Sequence, residues 1–402
     1  TPNNAGVGMF DFRPIIESFV NADNLARQGS SYKTVVNASE TNVPLHLIDK
    51  YSGNINSMRY LAIRFKIEYI DSAGDLITTG IEDSDLYEIF NGYLKYTDIL
   101  DLVANNFGYD LTDFEIGTNQ NKFLTNAPII QYANGGDYGT LSFFTLSSTM
   151  ADDAYTVKFK YYNSSGVFQG SENVNRTNLN GAYDGYNGYI GMELLYFGCF
   201  PANLRNWAST FKTLYNAGTL DGGYYTIQLL SNAAFEEPTT QTYKININCP
   251  TLKGYEPIRL CWLNQWGVWD YYTFTMKSSK TISTKGSTYQ QLAGSWNESA
   301  YRIDSFKGGK KAFRVNATEK ITMNTDFVNE SESEWFEELI NSPEVYILEG
   351  FQSDITNSAL NTYVTPVRLT TSNYTKKTVA NDKLMQYTFE VEKSKTLRTQ
   401  AV

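Results

Sequence analysis

The sequence predicts a mainly β protein: two or three β-sandwich-like domains, a few packing helices and an extended N-terminal arm. Its 402 residues exceed the size at which one hydrophobic core stops growing, which sets the domain count. Aromatic residues reach 15%, with 30 Tyr and 23 Phe, and side chains of that shape suit a pleated, half-buried surface. Short apolar runs, many of them alternating and closed by Gly, Asn, Asp and Ser clusters, supply the strands. Charged residues are 19%, below the roughly 25% of an average domain, so disorder and coiled coil are poor descriptions.

Residues 1–57 read as the arm. Its best element is Phe10 to Val20, where Pro14 suits a first helical turn and Ile15, Ile16, Phe19 and Val20 make one apolar face. With Phe10 and Phe12 they form a candidate docking arm, too short to be a domain and able to pack on its own chain or on a neighbour. Residues 58–250 read as β-rich, opening with a hairpin whose turn is Asp71-Ser72-Ala73-Gly74. Val157-Lys158-Phe159-Lys160 and the turn Asn163-Ser164-Ser165-Gly166 echo Ile63-Arg64-Phe65-Lys66 and that turn, which raises a duplicated sandwich as one reading. The rhythm of Leu86, Ile89, Phe90, Leu94, Ile99, Leu102 and Val103 predicts one or two short helices within 84–105. Pro201 to Ala217 predicts a helix opened by proline and closed by Gly218. Strands are expected at 189–197, 224–230 and 243–248, and Pro250 to Pro257 reads as a linker.

Residues 251–402 form the predicted C-terminal β-rich domain, with strands at 258–262, through 313–323, and at 345–348, 365–370 and 384–392. One helix interrupts them at about 329–341. Asn329 and Glu332 have capping-box spacing, Trp335, Phe336, Leu339 and Ile340 make a buried stripe, and Ser342-Pro343 ends it.

Composition excludes several functions. A net charge of −10 argues against nucleic acid as the main partner. No apolar run approaches the ~18 residues of a membrane span, and Thr1 to Gly8 lacks a signal peptide's basic and apolar regions, so synthesis and folding in the cytoplasm are expected. Cys199, Cys249 and Cys261 read as small buried hydrophobes. The single histidine, His46, leaves histidine acid–base chemistry and multi-histidine metal sites almost without material. No phosphate-cradle motif occurs, and no cofactor, metal site or catalytic residue is expected. Two carboxylates across a cleft would suffice for a glycosidase, and Trp269-Asp270 and Trp296-Asn297-Glu298 place acids beside rings. The acids of Glu82-Asp83-Ser84-Asp85 lack the glycine of a calcium loop.

The densest chemical signal is aromatic: Trp262, Trp266, Trp269, Tyr271, Tyr272 and Phe274, with Trp296 close behind. Alternation sends rings to both faces of these strands. Three readings stay open: a sandwich core, a subunit interface of large amphipathic anchors, or a sugar-stacking platform.

Trp262-Leu263-Asn264, Gly267, Trp269-Asp270 and Phe274 resemble a motif of virion structural proteins from tailed bacteriophages, especially those infecting Bacteroidota. Phe10-Asp11-Phe12-Arg13-Pro14-Ile15, Phe123-Leu124-Thr125-Asn126-Ala127-Pro128 with Leu141-Ser142-Phe143, Ser342-Pro343-Glu344-Val345 and Gln386-Tyr387-Thr388-Phe389 follow the same order in that group. The resemblance implies a non-enzymatic tail-tip, baseplate or neck-ring component, located in the virion. Its implied partners are copies of itself in a symmetric assembly and other virion proteins, and it implies no catalytic residues. Two competing readings are a glycan-binding adhesin that contacts host surface glycan and a glycoside hydrolase.

Overall fold

The computed structural model describes residues 10–22, 24–26, 44–53, 56–93, 122–145, 156–175, 193–230, 238–248, 254–295, 300–351, 363–371, 373–375 and 385–401. Among the described residues strand accounts for 47% and helix for 14%, so the fold is mainly β, arranged in several sheets. The chain divides into two units. One comprises Thr1–Leu252, Trp262–Tyr271 and Gly350–Asn361; the other comprises Lys253–Cys261, Tyr272–Glu349 and Thr362–Val402. Among the described residues no helix is long and apolar enough to cross a membrane.

The first unit opens with α1 (Arg13–Ile16), continued by a 3₁₀ turn at Glu17–Phe19, and with β1 (Tyr51–Gly53). Six short strands follow: β2 (Met58–Leu61), β3 (Arg64–Phe65), β4 (Glu68–Ile70), β5 (Leu76–Thr78), β6 (Glu82–Asp83) and β7 (Tyr87–Phe90). They pair β2 with β7, β3 with β6 and β4 with β5, so residues 58–90 form one interrupted two-stranded ribbon. The helix expected within 84–105 is therefore corrected over 84–93, and the rest of that span lies outside the described residues. Tyr87 to Phe90 satisfies its backbone against Met58 to Leu61, and this pairing overrides the i, i+3, i+4 rhythm of Leu86, Ile89 and Phe90.

Seven more strands lie wholly in the unit, the first five being β8 (Ile130–Ala133), β9 (Thr140–Thr145), β10 (Thr156–Tyr162), β11 (Phe168–Asn175) and β12 (Glu193–Gly198). They are followed by α2 (Pro201–Trp207), α3 (Ser209–Asn216), β13 (Tyr224–Leu230) and β14 (Tyr243–Ile247). One sheet runs β1-β12-β9; the other runs β11-β10-β13-β14-β8, antiparallel except for its β14–β8 pair. Along β10 and β13 buried positions alternate with half-buried ones, so Phe159, Tyr161, Tyr225, Ile227 and Leu229 face the core. Phe211 of α3 lies edge-on to Tyr161 and Tyr225, with ring centroids 5.4 and 5.7 Å away. Each such buried side chain contributes about 1.5–3 kcal/mol.

The helix expected over Pro201 to Ala217 is two helices, broken at Ala208, whose ψ of 100° is extended. The break has a tertiary cause: Glu172, reaching from β11, accepts from the backbone N–H groups of Thr210 (2.8 Å) and Phe211 (3.3 Å) and from the Ser209 hydroxyl (3.1 Å). A carboxylate satisfies the N–H groups at the start of α3 that a continuous helix would have bonded internally.

The echo between the two turns is chemical. In each, the first side chain accepts two backbone N–H groups: Asp71 from Ala73 and Asp75, Asn163 from Ser165 and Val167. In each, a glycine closes the turn at positive φ, 90° for Gly74 and 76° for Gly166. Beyond the turns the surroundings differ, since β4 and β5 are exposed throughout whereas β10 is a central strand with buried positions.

The second unit is built on β15 (Ile258–Leu263), β16 (Trp269–Phe274), β17 (Ser278–Gln291), β18 (Gly294–Ser295), β19 (Arg302–Ile303), β20 (Gly309–Asn324), α4 (Glu330–Asn341), β21 (Val345–Leu348), β22 (Val364–Leu369), β23 (Thr388–Lys393) and β24 (Arg398–Ala401). Its sheet runs β16-β15-β21-β22-β23-β20-β17, with β24 also on β20, and the tips of β15 and β16 count with the first unit. The ring of Phe336 from α4 packs on Tyr272 at 4.8 Å, on Phe389 at 5.5 Å and on Phe274 at 6.3 Å. The helix starts where its caps dictate: the Asn329 side chain accepts from Glu332 N–H (2.9 Å), and Glu332 accepts from Asn329 N–H (2.8 Å). Replacing Asn329 with alanine removes the first of these bonds and should lower the unfolding free energy by about 1 kcal/mol, read as a lower urea midpoint with unchanged slope.

Candidate functional site

The aromatic segment is drawn inward. Trp262, Trp266, Trp269 and Tyr271 are buried, Trp262 with 0% exposure. Their placement begins at the turn between β15 and β16, where Asn264 Nδ2 donates to the Leu124 carbonyl (3.0 Å) and Asn264 Oδ1 accepts from Trp266 N–H (2.9 Å) and Val268 N–H (3.3 Å). Gly267 carries φ +70°, and a Cβ there would lie 1.9 Å from the Asn91 carbonyl oxygen, so only glycine fits. Trp269 then meets His46 edge-on, ring centroids 4.8 Å apart. The Tyr271 hydroxyl stands 3.0 Å from His46 Nδ1 and 2.8 Å from Thr140 Oγ1, while the Phe200 ring lies 5.7 Å from the Tyr271 ring. Asn203 holds the same region: its Nδ2 donates to the carbonyls of Ile48 (2.5 Å) and His46 (3.3 Å), and its Oδ1 accepts from Gly139 N–H (2.9 Å).

These contacts assign the segment to the core. A sugar platform or a subunit interface needs an uncovered ring face, and Trp262, Trp266, Trp269 and Tyr271 present none. Tyr272, half-buried, points its ring into the second unit against Phe336, Phe274 (4.9 Å) and Trp335 (6.1 Å). Trp296, with Asn297 and Glu298, lies outside the described residues. Asp270 is buried and accepts from the Thr125 hydroxyl at 2.6 Å, so it faces no cleft. Asp83 is tied to Arg64 at 2.6 Å, and that guanidinium lowers its carboxyl pKa. A cleft of about 320 Å³ in the second unit has one carboxylate among its lining residues, Glu344, which already accepts from the Tyr346 hydroxyl at 2.7 Å. Among the described residues no group of three His, Cys, Asp or Glu could hold a metal ion. Cys199 and Cys261 are buried and unbridged, and burial pushes the Cys261 thiol far up; Cys249 lies outside the described residues.

The surface carries the apolar area that the core does not. On the arm, Phe10 (79% exposed), Ile15 and Phe19 are open to solvent, Phe12 and Ile16 are half-buried, and Val20 is buried. Arg13 clamps Asp11 through its Nε and Nη2, holding that carboxyl down at about 2. The arm's root is fixed where Asn21 N–H donates to the Asn56 carbonyl (2.9 Å) and Ser57 Oγ donates to the Asn21 carbonyl (3.0 Å). Ribbon 58–90 exposes Phe65, Ile67, Tyr69, Ile70 (70%), Leu76 (68%), Ile81 and Tyr87. A second ribbon, β17 paired with β20 over fourteen residues of β17, exposes Ile282 and Phe313 along its length and Leu292, Ile303 (77%) and Phe306 (74%) around its tip. Residue patterns placed a strand through 313–323, within β20, but missed its partner β17 because Ser278 to Gln291 is mostly Ser, Thr, Lys and Gln with scarcely an apolar side chain, and so carries no buried face to alternate. Compared with protein-family models and with curated protein sequences, the chain matches none.

Two measurements check the buried chemistry. Tyr271→Phe removes the hydroxyl shared by His46 and Thr140 and should cost about 1–3 kcal/mol of stability in urea unfolding. Burial also raises the phenols of Tyr161, Tyr272 and Tyr374, and that of Tyr243 to about 12. Below about pH 10, the value for a free phenol, both states are neutral and this stability is fully present. Above it the unfolded chain ionises while the buried phenol does not, so stability falls through about pH 12, Tyr243 alone contributing about 1.4 kcal/mol per pH unit. Urea midpoints taken from about pH 8 to about pH 11 should be flat first and then drop, with phenolate absorbance appearing on unfolding.

Proposed function

We propose that this chain is a non-enzymatic structural component of a tailed-bacteriophage virion, of tail-tip, baseplate or neck-ring type. It is present in several symmetric copies and is held by contacts with itself and with other virion proteins. The phage assignment rests on the resemblance of the Phe10, Phe123, Trp262, Ser342 and Gln386 motifs. The assembly role is carried by one observation: the exposed large apolar side chains concentrate on an arm, on the two-stranded ribbon 58–90 and on the β17–β20 hairpin, which edges its sheet and runs out beyond it as two strands at 287–291 and 309–313. A lone two-stranded ribbon is marginally stable in water, and apolar residues on it gain their burial from a partner.

The glycan-binding reading drew on ring faces at Trp262 to Tyr271, and those rings are enclosed by their own chain. The hydrolase reading drew on acids beside them, and Asp270 is spent on Thr125. Neither reading gains a specific observation in exchange.

Sedimentation of the full chain across a concentration series tests the assembly role. A closed oligomer with an interface above roughly 1,000 Å² is expected, and deletion of residues 1–20 should weaken it. A chain that stays monomeric at about 100 μM, a concentration at which even a weak specific contact is populated, contradicts the role.

A further inference from the structure

The two ribbons carry opposite charge. Residues 58–90 hold three Lys and Arg against seven Asp and Glu, a net −4; residues 278–324 hold eight against three, a net +5, on a chain whose total is −10. The basic groups are placed for contact: Lys285, Lys310, Lys311 and Arg314 are all exposed along the second ribbon. Asp75, Glu82 and Asp85 are exposed along the first. Apolar side chains accompany each set. Tyr69 stands opposite Ile77 on the acidic ribbon, with Phe65 and Ile67 exposed just before it in the chain, and Phe313 lies edge-on to Tyr289 on the basic one, ring centroids 6.4 Å apart.

Resting on the assembly role proposed above, we propose that copies of this chain join head to tail, the acidic ribbon 58–90 of one copy lying against the basic ribbon 278–324 of the next. Three features favour this occupant. The complementary surface is present on every copy, in equal number. Each ribbon pairs apolar side chains with an excess of charge of one sign, so contact buries the apolar side chains while the charges fix which ribbon meets which. Acidic meeting acidic, or basic meeting basic, is disfavoured by like charge, so the contact is heterologous and propagates until a ring closes. A polyanion such as DNA could also meet the basic ribbon, yet it would have to approach a chain that is acidic overall and would leave the acidic ribbon's apolar side chains bare.

The test uses the full chain and two variants that reverse exposed charge: Lys310→Glu/Lys311→Glu/Arg314→Glu, and Asp75→Lys/Glu82→Lys/Asp85→Lys. Each alone should raise the concentration needed for assembly by about tenfold or more, and wild-type assembly should weaken as salt rises. Mixed together, the two variants present opposite charge to one another again and should co-assemble. Circular dichroism of each variant checks the fold, and the salt series on the wild-type chain stands whether or not a variant folds. A wild-type chain that assembles with no response to salt, to either reversal or to mixing overturns the ribbon contact and leaves the assembly role standing. A wild-type chain that never assembles overturns both. Retention of a DNA duplex by the wild-type chain, lost in the Lys310 variant while assembly is unchanged, assigns the basic ribbon to nucleic acid and also overturns the contact.

Discussion

A β-ribbon of two strands has no interior. Each residue can turn its side chain to one face or the other, and without a third strand or a covering helix both faces are wet. That constraint organises this protein. Where strands are gathered into sheets of three or more and roofed by α2, α3 or α4, the large aromatic side chains are enclosed; where two strands run out alone, the apolar residues are left in water. The same residue types thus do two jobs, and the cover over each strand face decides which.

Enclosure is achieved with polar as well as apolar contacts. The 44–50 segment needs partners from outside: Asn203 of α2 donates to its His46 and Ile48 carbonyls, and the Tyr271 hydroxyl of β16 bonds the His46 side chain. A histidine at the centre of such a network, edge-on to a tryptophan and with no exposure, is fixed rather than reactive. The aromatic density around Trp262 follows from this: large flat rings fill the space around a polar staple while Tyr271 still offers a hydroxyl to it.

Much of the fold was legible in residue order. Strands β13, β15 and β21 fall within a residue of where their apolar residues place them, because β13 alternates over a buried face and β15 is a short run buried throughout. The α4 helix was legible down to its cap, since Asn329, Glu332, Trp335 and Pro343 each speak locally. What was not legible depended on distant partners. Glu172 splits the helix after Trp207 from 37 and 38 residues away in sequence, and β7 becomes a strand only because β2 is there to receive it. At the candidate site, the aromatic cluster could be located but not oriented: spacing shows that rings face both ways from a strand, and only packing shows that both sides are covered. The polar ribbon strand β17 left no trace, because a strand exposed on both faces has no apolar period to read.

That silence is itself informative about the ribbons. A strand such as Ser278 to Gln291, with Lys280 and Lys285 among its Ser and Thr, resists edge-to-edge pairing with other chains, since charge and polar side chains blunt an open edge. Its partner strand β20 is different, carrying Phe313 and Val315 exposed on one face beside Lys311 and Arg314. A surface that combines apolar side chains with a net excess of one sign of charge is disfavoured against its own kind and receptive to the opposite sign. In the proposed contact, selectivity comes from one arrangement: the charges that keep equal ribbons apart are the ones that let unequal ribbons meet.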